Sequence, residues 1–304
     1  MNLDQDLEHS REHEMNTYLS SMKAMYDNAL AQNGEIYDIA RTLTEDFKNI
    51  SADAVCADSR IIKILRYAIA PSISQMKFGQ FFGMGSIDKF ENDRLQVGAA
   101  KHTALSLIAE NIAKFAQDNL DLNRFIWVDQ RKQNIADLAL ASDYAKGWTC
   151  AIAADQNAQT RYRNWRKDQQ EHSIASELVR LGYVRSDFRG IVCRSTDINI
   201  GEFTQELRVQ GRTRQKADLI VRSKKTRKLV LIEAKAVGVL IDSTKRIKEC
   251  CDKSNDWRSG EALDSPVVAT VIAGFFNPQG ISNLQASEIQ VVWEHRLSDL
   301  SKVL

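Results

Sequence analysis

Two apolar runs separated by a short basic turn most restrict how this chain can fold. "ADLIVRS" (217–223) and "LVLIEAKAVG" (229–238) are rich in branched aliphatic residues, and the residues between them are mostly lysine and arginine. This pattern predicts two adjacent antiparallel strands joined as a hairpin. In such a pair, Asp218 near the start of the first strand and Glu233 near the end of the second become neighbours at one edge of a sheet.

The charged residues at this edge have the composition of a cation site. Side chains two residues apart on a strand share a face, so Glu233 and Lys235 point the same way. Mg²⁺ takes oxygen ligands and usually keeps one or two protein carboxylates, which Asp218 and Glu233 would supply, and the Ala234 carbonyl could add a third oxygen. Lys235 could then orient a water molecule or offset charge on a phosphate. A Glu-x-Lys at a strand end also occurs where a strand simply reaches water, so the pattern depends on Asp218 and its basic surroundings.

Charge is unevenly distributed along the chain. The 304 residues carry a net charge of only +1, but residues 161–260 carry about +10, those before them about −6 and those after them about −3. A basic segment of this kind fits a surface that faces a polyanion such as nucleic acid, although it also fits a solvated face. No apolar run approaches a membrane span, and the first residues are too polar for a secretory signal. We therefore expect a cytoplasmic protein that binds no membrane.

The periodicity of apolar residues changes near residue 155. Residues 1–155 show helical spacing and predict a mostly helical domain, a candidate for DNA recognition or dimerisation. Residues 156–304 predict a helix ended by Gly182, then a mixed sheet flanked by helices, including one capped by Asp242 or Ser243. The fold class is therefore α/β. The predicted strands are 190–195, 202–209, 217–223, 228–235, 267–276 and 289–295.

Several of these segments resemble known nucleases. "ADLIV" and "LVLIEAKAVG" resemble the signature of the PD-(D/E)xK nucleases, with Asp218, Glu233 and Lys235 on its three positions and Ala217 in place of proline. "QEHSIASELVRLGY" is similar to the helix that opens that fold, with Glu171 at its acidic position. "EAKAVGVLIDSTKRIKECCDKSNDWR" and the two strands after it resemble the C-terminal half of the XamI-type restriction endonucleases, over roughly residues 160–304.

The resemblance implies a type II restriction endonuclease. Such an enzyme is a homodimer that uses Mg²⁺ to hydrolyse double-stranded DNA at a short palindromic site, leaves 5′-phosphates, and works beside a cognate DNA methyltransferase in a restriction-modification system. By this resemblance Asp218 and Glu233 hold the metal, Lys235 positions water, and Glu171 tunes or shares a second metal site. A repair or recombination nuclease of the same fold and a noncatalytic DNA-binding protein remain alternatives.

Basic residues supply the candidate DNA contacts. Phosphate contacts give most of the affinity, and base edges are read separately. Arg212 and Arg214, a few residues before Asp218, are candidates for the cleavage region or for guanine edges. The candidates for phosphate contacts are Arg161, Arg163 and Arg166, together with Lys245 and Arg246 on the helix after the second strand of the hairpin.

A glycine-containing stretch at residues 72–90 raises a separate possibility. Gly79, Gly83 and Met84 stand roughly where a helix-turn-helix has its small residue, its turn glycine and the next apolar residue. The alternative, which the absence of a basic second helix favours, is a helix end whose phenylalanines pack into the core.

Overall fold

The computed structural model describes residues 2–92, 99–129 and 138–304 of the chain. Their contacts form two units. We call Met22–Arg161 the helical unit, and Met1–Ser21 together with Tyr162–Leu304 the α/β unit. Both unit boundaries fall inside long helices, and the second comes six residues after the boundary that the sequence predicts at 155. Among the described residues, no helix combines the length and apolarity needed to cross a membrane.

The helical unit is built from amphipathic helices around an aromatic and aliphatic core. Phe47 packs between Tyr37 and Phe125, with ring centroids 5.1 and 4.7 Å apart, and all three side chains are fully buried. The helices are α1 (Leu3–Leu43), α2 (Ala52–Ala57), α3 (Ile61–Ala68), α4 (Gln75–Phe81), α5 (Asp88–Glu91), α6 (Ala99–Asp118) and α7 (Leu138–Arg180). The ends of α1 and α7 that lie outside Met22–Arg161 belong to the α/β unit.

In residues 72–92, one short helix ends against the core and a second, shorter helix follows it. Helix α4 stops at Phe81, and Gly83 adopts a left-handed φ of +70° in the following turn. Phe78 is fully buried in the core of the helical unit, while Phe81 stays half exposed. The next helix, α5, has four residues, which is too short for a helix that reads a DNA groove. These observations agree with the core-packing alternative.

The described residues of the α/β unit contain eight strands: β1 (Val184–Arg185), β2 (Glu202–Gln205), β3 (Arg208–Gln210), β4 (Arg214–Lys216), β5 (Leu219–Arg222), β6 (Leu229–Val237), β7 (Val267–Gly274) and β8 (Gln290–Trp293). Six of them form a mixed sheet in the order β1-β2-β5-β6-β7-β8. The pairs β2–β5 and β5–β6 are antiparallel, and β1–β2, β6–β7 and β7–β8 are parallel. A separate antiparallel pair, β3–β4, forms a ribbon.

Helices cover both faces of this sheet, as the α/β prediction requires. Alternation along β6 sends Leu229 and Leu231 to the face that packs on α8 (Leu240–Arg258) and α9 (Pro278–Ala286), where Trp257 is fully buried. Val230 and Ile232 point to the opposite face, with the C-terminal end of α7 and α10 (Leu300–Val303). Since β6 is apolar on both faces, it is the buried centre of the sheet. The predicted α/β fold class is confirmed.

Local differences from the predicted elements have identifiable causes. Residues 190–195 contribute an isolated bridge at Val192 instead of a strand. The predicted strand 202–209 breaks at Glu206, whose φ of 56° ends β2 and starts the turn into β3. Helix α8 begins at Leu240, so its N-cap is Val239 and the predicted caps Asp242 and Ser243 lie within the helix. The predicted end of α7 is confirmed, because Gly182 adopts a φ of +82° just after it.

Candidate active site

The hairpin places two carboxylates at the same end of the sheet. Strands β5 and β6 pair from Leu219 with Ile232 to Arg222 with Leu229. Extending this register by one residue sets Asp218 opposite Glu233. Both acids lie on the face that packs on α8, because they alternate with Leu219 and Ile232, which point to the other face. The hairpin therefore has the form that the sequence predicts.

The two carboxylates converge on one ammonium group. Lys235 Nζ lies 2.6 Å from Glu233 Oε2 and 3.8 Å from Asp218 Oδ2. The Ala234 N–H donates to Asp218 Oδ2 at 2.8 Å, which fixes the carboxylate against the strand. The N–H and C=O of one strand residue point to the same side, so the Ala234 carbonyl faces the side on which Asp218 lies. The structure thus brings Asp218, Glu233, Lys235 and the Ala234 backbone together.

A second lysine, which no sequence motif marks, reaches the same carboxylate. Lys253 on α8 places Nζ 2.8 Å from Glu233 Oε1, and it also donates to the Lys216 carbonyl at 2.7 Å. Its position follows helical spacing, since Cys250 and Ser254 beside it face the sheet. The helical spacing of apolar residues in α8 could have predicted that Lys253 lies near this face. A lysine at such a position, however, is usually expected to extend its ammonium group into water.

Burial and charge shift the acid–base equilibria of the site. Burial, and then the negative charge of Asp218, raises the pKa of Glu233. For Lys235, burial alone would lower the pKa, but the charges of Glu233 and Asp218 outweigh burial and raise it. The Glu233 shift comes first from burial, whereas the Lys235 shift comes from the two carboxylates that hold its ammonium between them. The raised pKa keeps Lys235 an ammonium at neutral pH, and hence a hydrogen-bond donor.

Glu171 extends the acidic character of the site towards α7. Its side chain is 6% exposed, and burial followed by the charge of Asp218 raises its pKa. Lys167 Nζ forms an ion pair with Glu171 Oε1 at 3.2 Å, and that oxygen has no regular hydrogen-bond partner. The same ammonium also contacts Glu206, at 3.0 Å. Glu171 is therefore a buried carboxylate with an unused acceptor, electrostatically coupled to Asp218.

The donors present fit a hard divalent cation. Asp218, Glu233 and the Ala234 carbonyl offer oxygens only, which suit Mg²⁺ better than a metal that prefers nitrogen or sulfur. Within the described ranges, no three His, Cys, Asp or Glu side chains come close enough to form an all-protein metal cage. Mg²⁺ does not need such a cage, because water and substrate phosphate complete its coordination. Asp218 and Glu233 are thus the residues that could hold the ion.

Comparison with known proteins defines the family. The sequence profile described as XamI restriction endonuclease matches residues 45–293, which is most of the chain and includes much of the helical unit. This chain belongs to the XamI restriction endonuclease family. The match also extends well beyond the C-terminal half in which the sequence motifs carry the resemblance. A search of the curated proteins finds no match.

Solved structures add little to this assignment. The crystal structure of protein VC1899 from Vibrio cholerae is similar over 92% of this chain, at 10% identity and a TM-score of 0.28. The matched region spans 55% of that protein's length. A likeness at this level carries no argument about the fold or the activity.

For a member of the XamI family, the basic residues on the surface are candidate DNA contacts. Arg212 and Arg214 are exposed at the tip and on the second strand of the β3–β4 ribbon. The tip is anchored to α8 because the Thr213 N–H donates to Asp256 Oδ1 at 2.7 Å. Lys245 and Arg246 are exposed on α8, where Arg246 pairs with Glu249 at 2.9 Å. These four side chains can reach a ligand without any change in the core.

The three arginines of "RYRNWRK" have different environments. Arg163 is exposed, and Arg161, in the helical unit, is exposed with a hydrogen bond to Gln32. Arg166 is buried, and its guanidinium pairs with Glu14 at 2.8 Å and with both oxygens of Glu294. Arg166 is therefore held in buried ion pairs, which contradicts the prediction that it contacts a phosphate.

Proposed function

We propose that this chain is a type II restriction endonuclease that uses Mg²⁺ to hydrolyse phosphodiester bonds in double-stranded DNA at a specific short sequence. The main observation in support is that Asp218 and Glu233 converge on the Lys235 ammonium at the end of the hairpin opposite its turn. Membership of the XamI restriction endonuclease family supports the choice of DNA as substrate.

The residues of the site take distinct roles in this reaction. Asp218, Glu233 and the Ala234 carbonyl would hold the ion. When bound, Mg²⁺ would supply Lewis acidity towards the phosphate and lower the pKa of a water ligand. Lys235, held as an ammonium, donates a hydrogen bond to the attacking water or to a phosphate oxygen, and it stabilises the negative charge that develops there. Glu171 acts through the field at Asp218 or through a shared second metal site.

The surface around the hairpin supplies two kinds of DNA contact. A two-stranded ribbon can enter the major groove, where arginine pairs with guanine edges. The β3–β4 ribbon carries Arg212 and Arg214 and leads directly into Asp218, so we assign base reading to this ribbon. Arg161, Arg163, Lys245 and Arg246 are the proposed phosphate contacts, which give affinity without sequence information.

The biological unit that we propose is a cytoplasmic homodimer that acts on a palindromic site and leaves 5′-phosphate ends. Two copies related by a twofold axis present the same surface to two identical half-sites, and each copy cuts one strand. A host with such an enzyme needs a DNA methyltransferase of the same specificity, because its own unmodified sites would otherwise be cut.

Digestion of unmethylated phage DNA, with and without Mg²⁺, tests this proposal beside the variant Glu233→Ala. We expect discrete fragments that require both the ion and Glu233, and the fragment ends would give the recognition sequence. A metal-dependent smear, or a preference for branched DNA, would instead favour the repair nuclease. Tight, salt-sensitive binding without any cleavage would favour the noncatalytic DNA-binding protein.

A further inference from the structure

Both oxygens of Glu233 are already occupied by lysine. Lys235 Nζ lies 2.6 Å from Oε2, and Lys253 Nζ lies 2.8 Å from Oε1. The Glu233 side chain is 1% exposed, so these two ammonium groups stand where an exposed carboxylate would meet bulk water. A carboxylate that is to hold a divalent ion is thus found in contact with two monovalent cations.

Charge balance indicates that one of these lysines must withdraw when a metal binds. Asp218 and Glu233 carry two negative charges, and Lys235 and Lys253 carry two positive ones, so the four side chains together are neutral. A divalent cation added to these four side chains would bring their sum to +2, which the neighbouring carboxylate of Glu171 offsets only in part, and such an excess is unfavourable in a largely buried place. The departure of one ammonium from Glu233 reduces this repulsion.

Lys253 is better placed to withdraw than Lys235. Its Nζ already donates to the Lys216 carbonyl at 2.7 Å, so it keeps an acceptor when it leaves Glu233. Its side chain is 23% exposed, against 14% for Lys235, which gives the ammonium a shorter path to water. Lys235 remains between the two carboxylates, where its proposed role requires it.

We propose that Lys253 is the counter-ion of Glu233 in the metal-free enzyme and competes with the divalent cation for that carboxylate. Lys253 is a positioning residue, which acts on the reaction through Glu233. The proposal rests on the Mg²⁺ site at Asp218 and Glu233. The Lys253 ammonium would stabilise the buried Glu233 carboxylate before the metal binds. Because Lys253 lies on α8, the affinity of the site for metal would depend on that helix.

The test is binding of Mg²⁺ alone to DNA-free protein, measured by isothermal titration calorimetry. Lys253→Met keeps the length of the side chain but removes its charge, and we expect Mg²⁺ to bind about tenfold more tightly, the size expected for loss of one competing charge-assisted hydrogen bond. In thermal unfolding, the variant should be less stable than the wild type without metal, and it should gain more from Mg²⁺. Lys248→Met, on an exposed part of α8, is the matched control and should leave binding unchanged.

Other variants separate the possible failures. Lys253→Arg keeps the charge and should bind Mg²⁺ no more tightly than the wild type. If Lys253→Met binds Mg²⁺ no more tightly than the wild type, the proposed role of Lys253 is wrong. If Glu233→Gln nevertheless abolishes Mg²⁺ binding, the proposed metal site at Glu233 still stands. If the wild type binds no Mg²⁺, or Glu233→Gln binds it equally well, the proposed metal site fails and this inference fails with it.

Crystal structures of the wild type with and without Mg²⁺ test the same idea without any variant. We expect Lys253 Nζ to leave Glu233 and keep the Lys216 carbonyl when the ion is present. A loaded site in which Lys253 still contacts Glu233 Oε1 would contradict the competition.

Discussion

The α/β unit contains two buried groups of acids and bases that look alike in composition but differ in how completely they are paired. In the Arg166 cluster (Glu14, Tyr162, Arg166 and Glu294), one guanidinium joins two glutamates, and the Tyr162 hydroxyl donates to Glu14 at 3.0 Å. In the Lys235 cluster (Asp218, Glu233, Lys235 and Lys253), one ammonium group contacts both carboxylates and the other contacts only Glu233. In both clusters the charged groups are buried, which would be strongly unfavourable if they were not paired.

The difference lies in the balance of burial and pairing. Burial alone would lower the pKa of Arg166, but its bonds to Glu294 and Glu14 outweigh burial and raise it, so the charged form is secure. The planar guanidinium fits carboxylates on two sides, and every oxygen in the Arg166 cluster has a partner. In the Lys235 cluster, burial and the charge of Asp218 raise the pKa of Glu233 despite its two lysines. In the first cluster pairing outweighs burial, whereas in the second burial still outweighs the pairing of Glu233 with its lysines.

The largest expected effect is on catalysis by the Lys235 cluster. Lys235→Ala should lower DNA cleavage by about a thousandfold or more, because it removes the donor that stabilises charge developing on the phosphate. Cleavage rates at saturating Mg²⁺, with DNA binding measured in Ca²⁺, separate chemistry from affinity. DNA binding should be largely retained, and a fully active Lys235→Ala protein would end the assignment of this site.

The Arg166 cluster should respond in stability instead. Arg166→Met leaves Glu14 and Glu294 buried without their cation, which we expect to reduce the free energy of unfolding by about 3–5 kcal/mol. Chemical denaturation measures this change. At a temperature where the variant remains folded, its affinity for DNA should equal that of the wild type. A stable variant with weakened DNA binding would show that Arg166 contacts DNA after all, contrary to its burial.

Glu171 lies between these two kinds of behaviour. It is buried like a structural acid but coupled to Asp218 like a member of the site. We expect Glu171→Gln to lower cleavage by about 10- to 100-fold, the range typical of residues that support metal ligands. The stability of the protein should change little, since Gln keeps the shape and Lys167 retains Glu206 at 3.0 Å. Cleavage rates across Mg²⁺ concentrations provide the measurement, and a variant with wild-type rates throughout would assign Glu171 to the fold alone.

The features predictable from the sequence are those set by local periodicity. Two continuous apolar runs within 217–223 and 229–238, joined by a basic turn, define the hairpin, and its register then places Asp218 opposite Glu233. The two-residue spacing of Glu233 and Lys235 needs no tertiary information. The end of α7 is also local, because Gly182 can adopt a φ that other residues avoid.

The features that could not be predicted depend on contacts between distant parts of the chain. The segment Met1–Ser21 joins the α/β unit through Asp6, which pairs with Arg296 at 2.9 Å, and through Ser10, which accepts from the Gly274 N–H. The partners of Arg166 lie at positions 14 and 294, so its burial has no signal near "RYRNWRK". Lys253 reaches Glu233 only because α8 packs on the face to which Glu233 points.

The smallest expected effect distinguishes Arg163 from Arg166, which stand three residues apart on the same helix. Arg163 is exposed, so Arg163→Ala should change stability by no more than about 0.5 kcal/mol. If Arg163 contacts a phosphate, the variant should bind all DNA sequences more weakly to a similar degree, and the slope of log K against log salt should fall by roughly one. Fluorescence anisotropy with cognate and noncognate duplexes in Ca²⁺ over a range of salt concentrations measures both quantities. An unchanged slope would exclude the phosphate contact. A loss confined to the cognate duplex would instead move Arg163 to base reading, beside the ribbon that carries Arg212 and Arg214.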